Sequence, residues 1–274
     1  MWDRFDREKE LSVGFEEFID ENGRIVLPEG NTLLDHLEQH TYGNGDDLAY
    51  RYIDYSRERD GEVHELTWQQ FGVRMRAIAS RLQQVTKPGD RVAILAPQGL
   101  DYVVSFFAAI YAGAIAVPLF DPDEPGHTDR LHAVLGDCTP SAILTATSSA
   151  AGVRQFFRPL PAAERPPRVI AVDAIPDSVA DTWTRPEIAT DDIAYLQYTS
   201  GSTRVPAGVE ITHRSVLTNV VQMADSIELN ETSRGVTWLP LFHDMGLLTV
   251  ILPAIGGKYI TIMSPRAFVA RPGR

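Results

Sequence analysis

Apolar positions along this chain follow two periods. Phe71, Met75, Ile78 and Leu82 recur at spacings of four, three and four, which puts them on one face of a helix. Thr67 opens that helix with Gln70 three residues on, the pattern of a reciprocal capping box. Thr32–His40, Leu100–Ala112, Asp129–Leu135, Ala150–Phe157 and Ser215–Ile227 also read as helices. Short apolar runs lie between them. Leu48–Tyr55, Val63–Leu66, Arg91–Ala96, Ile115–Phe120, Ala142–Thr145, Arg168–Val172, Ile193–Tyr198 and Val209–Thr212 read as strands. Asp60-Gly61, in the charged turn Arg57–Glu62, predicts a hairpin joining the first two. Strand and helix alternate at short intervals. The expected fold is therefore α/β, with mostly parallel sheets flanked by helices on both faces. The Pro-rich stretch Pro159–Pro167 reads as a surface connection, and residues 173–190 as a linker within the domain.

Composition narrows the class. The 274 residues are 44% hydrophobic and 23% charged, which excludes a disordered, collagen-like or disulfide-framework chain. Cys138 is the one cysteine, so neither an internal disulfide nor a Cys-based zinc site is available. That fits a reducing cytoplasm, the expected location. Met1–Glu10 lacks the apolar segment of a signal peptide. Tyr102–Phe120 and Met245–Ile255 are too short or too interrupted to span a membrane. The net charge of −12 is concentrated in residues 1–66, with 18 acidic and 7 basic side chains. That balance argues against a nucleic-acid partner there.

Candidate chemistry begins at Tyr195–His213, YLQYTSGSTRVPAGVEITH. An apolar strand runs into Thr199, Ser200, Gly201, Ser202 and Thr203, five small residues of which four carry hydroxyls. Gly201 permits close approach of a ligand to the backbone. Hydroxyls and N–H groups are donors for phosphate oxygens. Pro206 and Gly208 then turn the chain into the next strand. This is not a Walker A loop, which ends in Gly-Lys-Ser/Thr, because Val209 follows Gly208. Composition alone favours a flexible Ser/Thr-rich surface loop.

The order of letters is more specific. YTSGSTRVPAGV resembles the phosphate-binding loop of adenylate-forming enzymes, the superfamily of acyl-CoA synthetases, luciferases and adenylation domains. It departs from that pattern at Arg204, where Gly is usual, and at Ala207, where Lys is usual. A guanidinium pairs well with phosphate, so Arg204 is expected to replace part of the missing lysine's charge. These departures, with VTWLPLFHDMGL at Val236–Leu247, PGDRVAILAPQGLDY from Pro88 and AVPLFDPDEPGHTDRL from Ala116, resemble fatty acyl-AMP ligases of the mycobacterial type. The resemblance runs from about Leu48 to the end of the chain.

The resemblance implies ATP and Mg2+ as cofactors and a long-chain fatty acid as substrate. An acyl carrier protein of a polyketide synthase is the implied acceptor, with coenzyme A as the alternative. Thr199, Ser200, Gly201, Ser202, Thr203, Arg204 and Gly208 would hold the ATP phosphates. His243 would position the carboxylate or α-phosphate. Trp238, Leu239, Met245 and Leu248 would wall the acyl pocket. Read without the resemblance, His243-Asp244 is a helix cap and those apolar residues are core. No metal ligand is expected within the chain.

The implied organisation is an acidic leader with a first helix over 1–47 and part of an AMP-binding domain over 48–274. The adenine- and magnesium-binding stretch and the C-terminal lid domain are expected outside the chain. Acting alone, it is therefore not expected to complete the ligase reaction. A fatty acyl-CoA ligase and a non-catalytic lipid- or partner-binding remnant are the competing readings. His36 and His40, four apart, read as a solvated helix face, and His213 as a cap for the helix after the loop. Asp121, Asp123, Glu124, His127 and His132 carry no assigned chemistry, and Cys138 has no activating partner in sequence.

Overall fold

A computed structural model describes residues 15, 18, 20–27, 30–122, 128–161, 168–199, 207–230 and 233–273. Its strands form two sheets. The smaller contains β1 (Leu48–Asp54), β2 (Glu62–Thr67), β9 (Gly235–Thr237) and β10 (Ile260–Ile262), in the order β2-β1-β10-β9. The larger contains β3 (Arg91–Ile94), β4 (Ile115–Pro118), β5 (Ala142–Thr145), β6 (Val169–Ala171), β7 (Ile193–Tyr198) and β8 (Gly208–Thr212), in the order β6-β5-β3-β4-β7-β8. Each is parallel apart from one antiparallel edge hairpin, β1–β2 or β7–β8.

The helices are α1 (Leu33–Gly43), α2 (Trp68–Gln83), α3 (Leu100–Tyr111), α4 (Thr128–Cys138), α5 (Ala150–Phe157), α6 (His213–Ser226), α7 (Asp244–Gly256) and α8 (Pro265–Ala270). Residues 173–190 are tied in by 3-10 turns at Val172–Ala174 and Asp177–Thr182, the second packed on α2.

The larger sheet explains its own apolar runs. Side chains alternate across a strand, and both faces are covered. Val92, Ile94, Ala116 and Leu144 join the main core, whereas Ala93, Leu95, Val117 and Ile143 join a second core under α4 and α5. Helix α3 packs against β1 of one sheet and β3, β4 and β5 of the other. Its residues Tyr102–Tyr111 are all buried, which is why it is apolar all round.

The predicted cap of α2 is present. Thr67 Oγ1 accepts from Gln70 N at 3.3 Å, and Gln70 Oε1 accepts from Thr67 N at 2.9 Å. Phe71, Met75, Ile78 and Leu82 are fully buried. Thr67→Ala is expected to cost about 1 kcal/mol, read as a lower urea midpoint with an unchanged slope.

Two histidine expectations are corrected. His36 and His40 lie in the core rather than on a solvated face. His36 packs on Phe18, with ring centroids 5.2 Å apart. His40 donates from Nε2 to Ile255 O at 2.9 Å and lies against Trp68. The capping role expected of His213 belongs to Thr212, whose hydroxyl accepts from Ser215 N at 3.1 Å. His213 is the buried first residue of α6.

Candidate functional site

The hairpin around the Ser/Thr-rich tract is held at its base. Tyr198 pairs with Gly208, and Gln197 with Val209. Only glycine suits position 208 without a shift, since a Cβ there would sit 3.0 Å from the Tyr198 ring. The Tyr198 hydroxyl donates to Asp137 of α4. Burial, then this bond, pushes the Tyr198 pKa up, so the phenol stays protonated. Thr199 and Ala207 are exposed at the two ends of the intervening segment. Ser200, Gly201, Ser202, Thr203 and Arg204 lie outside the described residues, as do Asp123, Glu124 and His127.

Position 243 follows from the turn after β9. Trp238, Leu239 and Pro240 lead into Leu241-Phe242-His243, and α7 starts at Asp244. His243 is the N-cap residue through its backbone: its carbonyl accepts from Leu247 N at 2.8 Å, and its ring makes no capping bond. The half-buried ring is thereby left beside the N-terminal turn of α7, where unpaired N–H groups favour anions.

Two glutamines join this segment to the sheets. Gln197 Nε2 donates to Phe242 O at 3.0 Å, so the strand entering the loop touches the residue before His243. Gln98 Nε2 donates to Met263 O at 2.8 Å, and Gln98 Oε1 accepts from Leu241 N at 3.3 Å. The Phe242 and Phe120 rings meet edge to face at 5.2 Å.

Between the sheets lies a cleft of about 800 Å³. It opens beyond the carboxyl ends of β1, β3, β4 and β10, and its lining includes Tyr52, Tyr55, Gln98, Phe120, Phe242 and Arg266. Crevices at strand carboxyl ends are the usual ligand sites of open α/β sheets. Burial and Asp54 push the Tyr52 hydroxyl up to about 12, keeping it a neutral donor. Asp121, also on the lining, accepts from Ser149 Oγ.

The Gln197–Phe242 bond puts the strand leading to Thr199 against the segment leading to His243. Thr199, Gly208, His243, Trp238, Leu239, Met245 and Leu248 do not line the cleft. Trp238 stacks on Phe268 at 3.8 Å, Met245 is 53% exposed, and Leu248 packs against the main core. The sequence reading did not identify Gln98, Gln197, Tyr52 or Phe120. Gln98 and Phe120 lie within the resembling blocks, but a lone glutamine or phenylalanine carries no local mark of a role. Cys138 is buried, and burial pushes its thiol up to about 12. Among the described residues there is no group of three or more His, Cys, Asp or Glu suited to a metal, and no helix long and apolar enough to cross a membrane.

The family model described as "AMP-binding enzyme" matches residues 37–273. The chain is 60% identical over 254 residues to the long-chain-fatty-acid–AMP ligase FadD32 of Mycolicibacterium smegmatis, a match covering 92% of this chain and 40% of that protein. It is 42% identical over 257 residues to the 4-hydroxyphenylalkanoate adenylyltransferase of Mycobacterium tuberculosis, with 92% and 41% covered. The fatty acyl-adenylate ligase of L. pneumophila, solved with acyl adenylate and pyrophosphate, superposes with a TM-score of 0.78 at 30% identity. That match covers 88% of this chain and 41% of the other. The chain thus spans about two fifths of the length of the proteins it matches. With the family model covering more than four fifths of its residues, the chain belongs to the AMP-binding enzyme family.

Proposed function

We propose that this chain supplies the ATP-phosphate loop and part of the acyl site of an enzyme that activates a long-chain fatty acid as acyl-AMP. The observation that carries the reading is the Gln197–Phe242 bond. It joins the base of the Ser/Thr/Gly hairpin to the His243 segment beside a cleft large enough for a ligand. Its relatives' names refer to fatty acid–AMP ligation and adenylation.

In the proposed reaction the fatty-acid carboxylate attacks the α-phosphorus of MgATP, and pyrophosphate leaves. Magnesium enters with the nucleotide substrate. Hydroxyls and N–H groups of Thr199–Thr203 donate to the phosphates, Arg204 adds a cation, and Gly208 seats the hairpin. His243, next to the α7 N-terminus, positions the carboxylate or α-phosphate as charge develops. Trp238, Leu239, Met245 and Leu248 remain candidates for the acyl wall. Phe120 and Phe242, which unlike those four line the cleft, are added as candidates. The acyl group then passes to the phosphopantetheine thiol of a carrier protein serving a polyketide synthase, with coenzyme A as the alternative acceptor: the thioester C–S bond forms as the acyl–phosphate bond breaks and AMP leaves.

Titration calorimetry with MgATP and with palmitate tests the reading. Both are expected to bind. Arg204→Ala is expected to weaken MgATP about tenfold and to flatten the salt dependence of binding. No heat from MgATP at millimolar concentration would overturn the proposal.

A further inference from the structure

Helix α4 holds the base of the loop hairpin at two points. Asp137 accepts from the Tyr198 hydroxyl, and Arg130 NH2 reaches the Tyr198 carbonyl at 3.4 Å. The helix is itself fixed. Leu131, Val134, Leu135 and Cys138 are buried in the second core together with Tyr198. Its carboxyl end is tied to β3, because Arg91 Nε donates to Cys138 O at 2.8 Å and Arg91 NH2 to Thr139 Oγ1 at 2.9 Å. The Tyr198 ring also covers Gly208, its cross-strand partner, where no Cβ fits without a shift. One tyrosine therefore contacts the anchored helix through its hydroxyl and the returning strand through its ring. An O–H donor on a carboxylate is among the stronger hydrogen bonds.

We propose that Asp137 and Tyr198, assisted by Arg130, are positioning residues: they fix where the chain leaves the sheet at Thr199 and returns to it at Ala207, and through those two points they set the affinity for MgATP. The proposal rests on the phosphate-binding reading for its consequence but not for its geometry. Asp137 touches no substrate in this account and acts only through Tyr198.

Two readouts on the full chain separate the two ideas. The first is MgATP affinity. Tyr198→Phe deletes only the hydroxyl and Asp137→Leu only the acceptor, and each is expected to raise Kd about tenfold. The double variant should be no weaker than either single one, because both remove the same bond. Asp137→Asn keeps an acceptor oxygen and, although Asn is a poorer helix former than Leu, should restore most of the affinity, which a purely helical role for Asp137 does not predict. The second is amide hydrogen exchange without ligand. Tyr198→Phe is expected to speed exchange near the Gln197–Val209 pair while leaving the Ile193–Thr212 end unchanged.

Unchanged exchange at both ends in Tyr198→Phe overturns the clamp, as does tenfold weakening in Asp137→Asn equal to that in Asp137→Leu. Faster exchange near the loop, with no MgATP binding by the unsubstituted chain, supports the clamp and removes the phosphate reading instead. Should Asp137→Leu fail to fold, Tyr198→Phe carries both readouts alone.

Discussion

Gly246→Ala is expected to destabilise the protein by about 3 kcal/mol or more and to abolish the palmitate binding proposed above. Gly246 is buried in the first turn of α7. A Cβ there would lie 2.0 Å from Pro240 O, 2.7 Å from Pro240 C and 3.2 Å from Leu239 O. These are backbone atoms, so no side-chain rotation relieves the overlap. Overpacking a core usually costs 1–3 kcal/mol, occasionally more, and this contact is closer than ordinary crowding. Either α7 moves or the Leu239–Phe242 segment does. The segment carries Pro240, Leu241 and Phe242 of the cleft lining and precedes His243. Displacing it also breaks the Gln98 and Gln197 bonds.

Gly136→Ala is the matched control. It lies in α4 with nothing within 4 Å of the added carbon. It is expected to stabilise by about 0.5–1 kcal/mol through helix propensity and unfolded-state entropy. Urea unfolding and palmitate titration of both variants check the pair. A Gly246→Ala protein with an unchanged midpoint would show that the turn yields more easily than its geometry implies.

Stability is expected to fall steeply as pH drops from about 6.5 towards 4, because buried histidines are held neutral. Burial lowers the pKa of His36 and of His213 to about 4, and that of His40 in the same direction. For His36 the neighbouring His40 lowers it further and Asp35 opposes, whereas for His213 Asp192 and Asp35 oppose. In both, burial outweighs the carboxylates.

The unfolded chain takes up these protons near pH 6.5, the folded chain only near 4. Between those values the unfolded state binds more protons, so stability rises with pH and is lost as pH falls. By pH 5 the loss is roughly 2 kcal/mol for each of His36 and His213, against a total of about 5–15 kcal/mol for a typical protein. The bonding explains part of the cost. His213 Nδ1 accepts from Leu33 N at 3.2 Å, and a proton on Nδ1 removes that acceptor from the start of α1. Urea midpoints at pH 7.5, 6 and 5 test the slope, and His213→Gln should reduce it by about one proton's share. A level midpoint from 7.5 to 5 contradicts the account.

Much of the element list was legible in sequence. The strand Ile193–Tyr198 lies where its apolar run placed it, and α2 begins at the predicted capping box. The Asp60-Gly61 hairpin forms, and Gly61 takes φ +82°, with Ile53 and Tyr55 where a Cβ would go. The loop and the His243 box stand out as letters in order, and the chemistry proposed for them rests on that order of consecutive residues. What was not legible is long-range. Tyr50 pairs with Ile260 to complete the smaller sheet, and the alternation of elements does not say which strands belong to which sheet. Polar letters at helical spacing placed His36 and His40 in solvent, but α1 packs on α2 and α7 and takes them into the core.

Sequence by itself therefore determined the fold class and most of the segments, and it carries the chemistry proposed for the loop and for His243. Those properties depend on side-chain period and on neighbouring residues. Tertiary structure alone decided that Gln98 and Gln197 grip the His243 segment, that Asp137 meets Tyr198, and that three histidines are buried and neutral. Such contacts arise where distant segments pack, and an isolated Gln, Asp or His looks the same in sequence whether water or a core surrounds it.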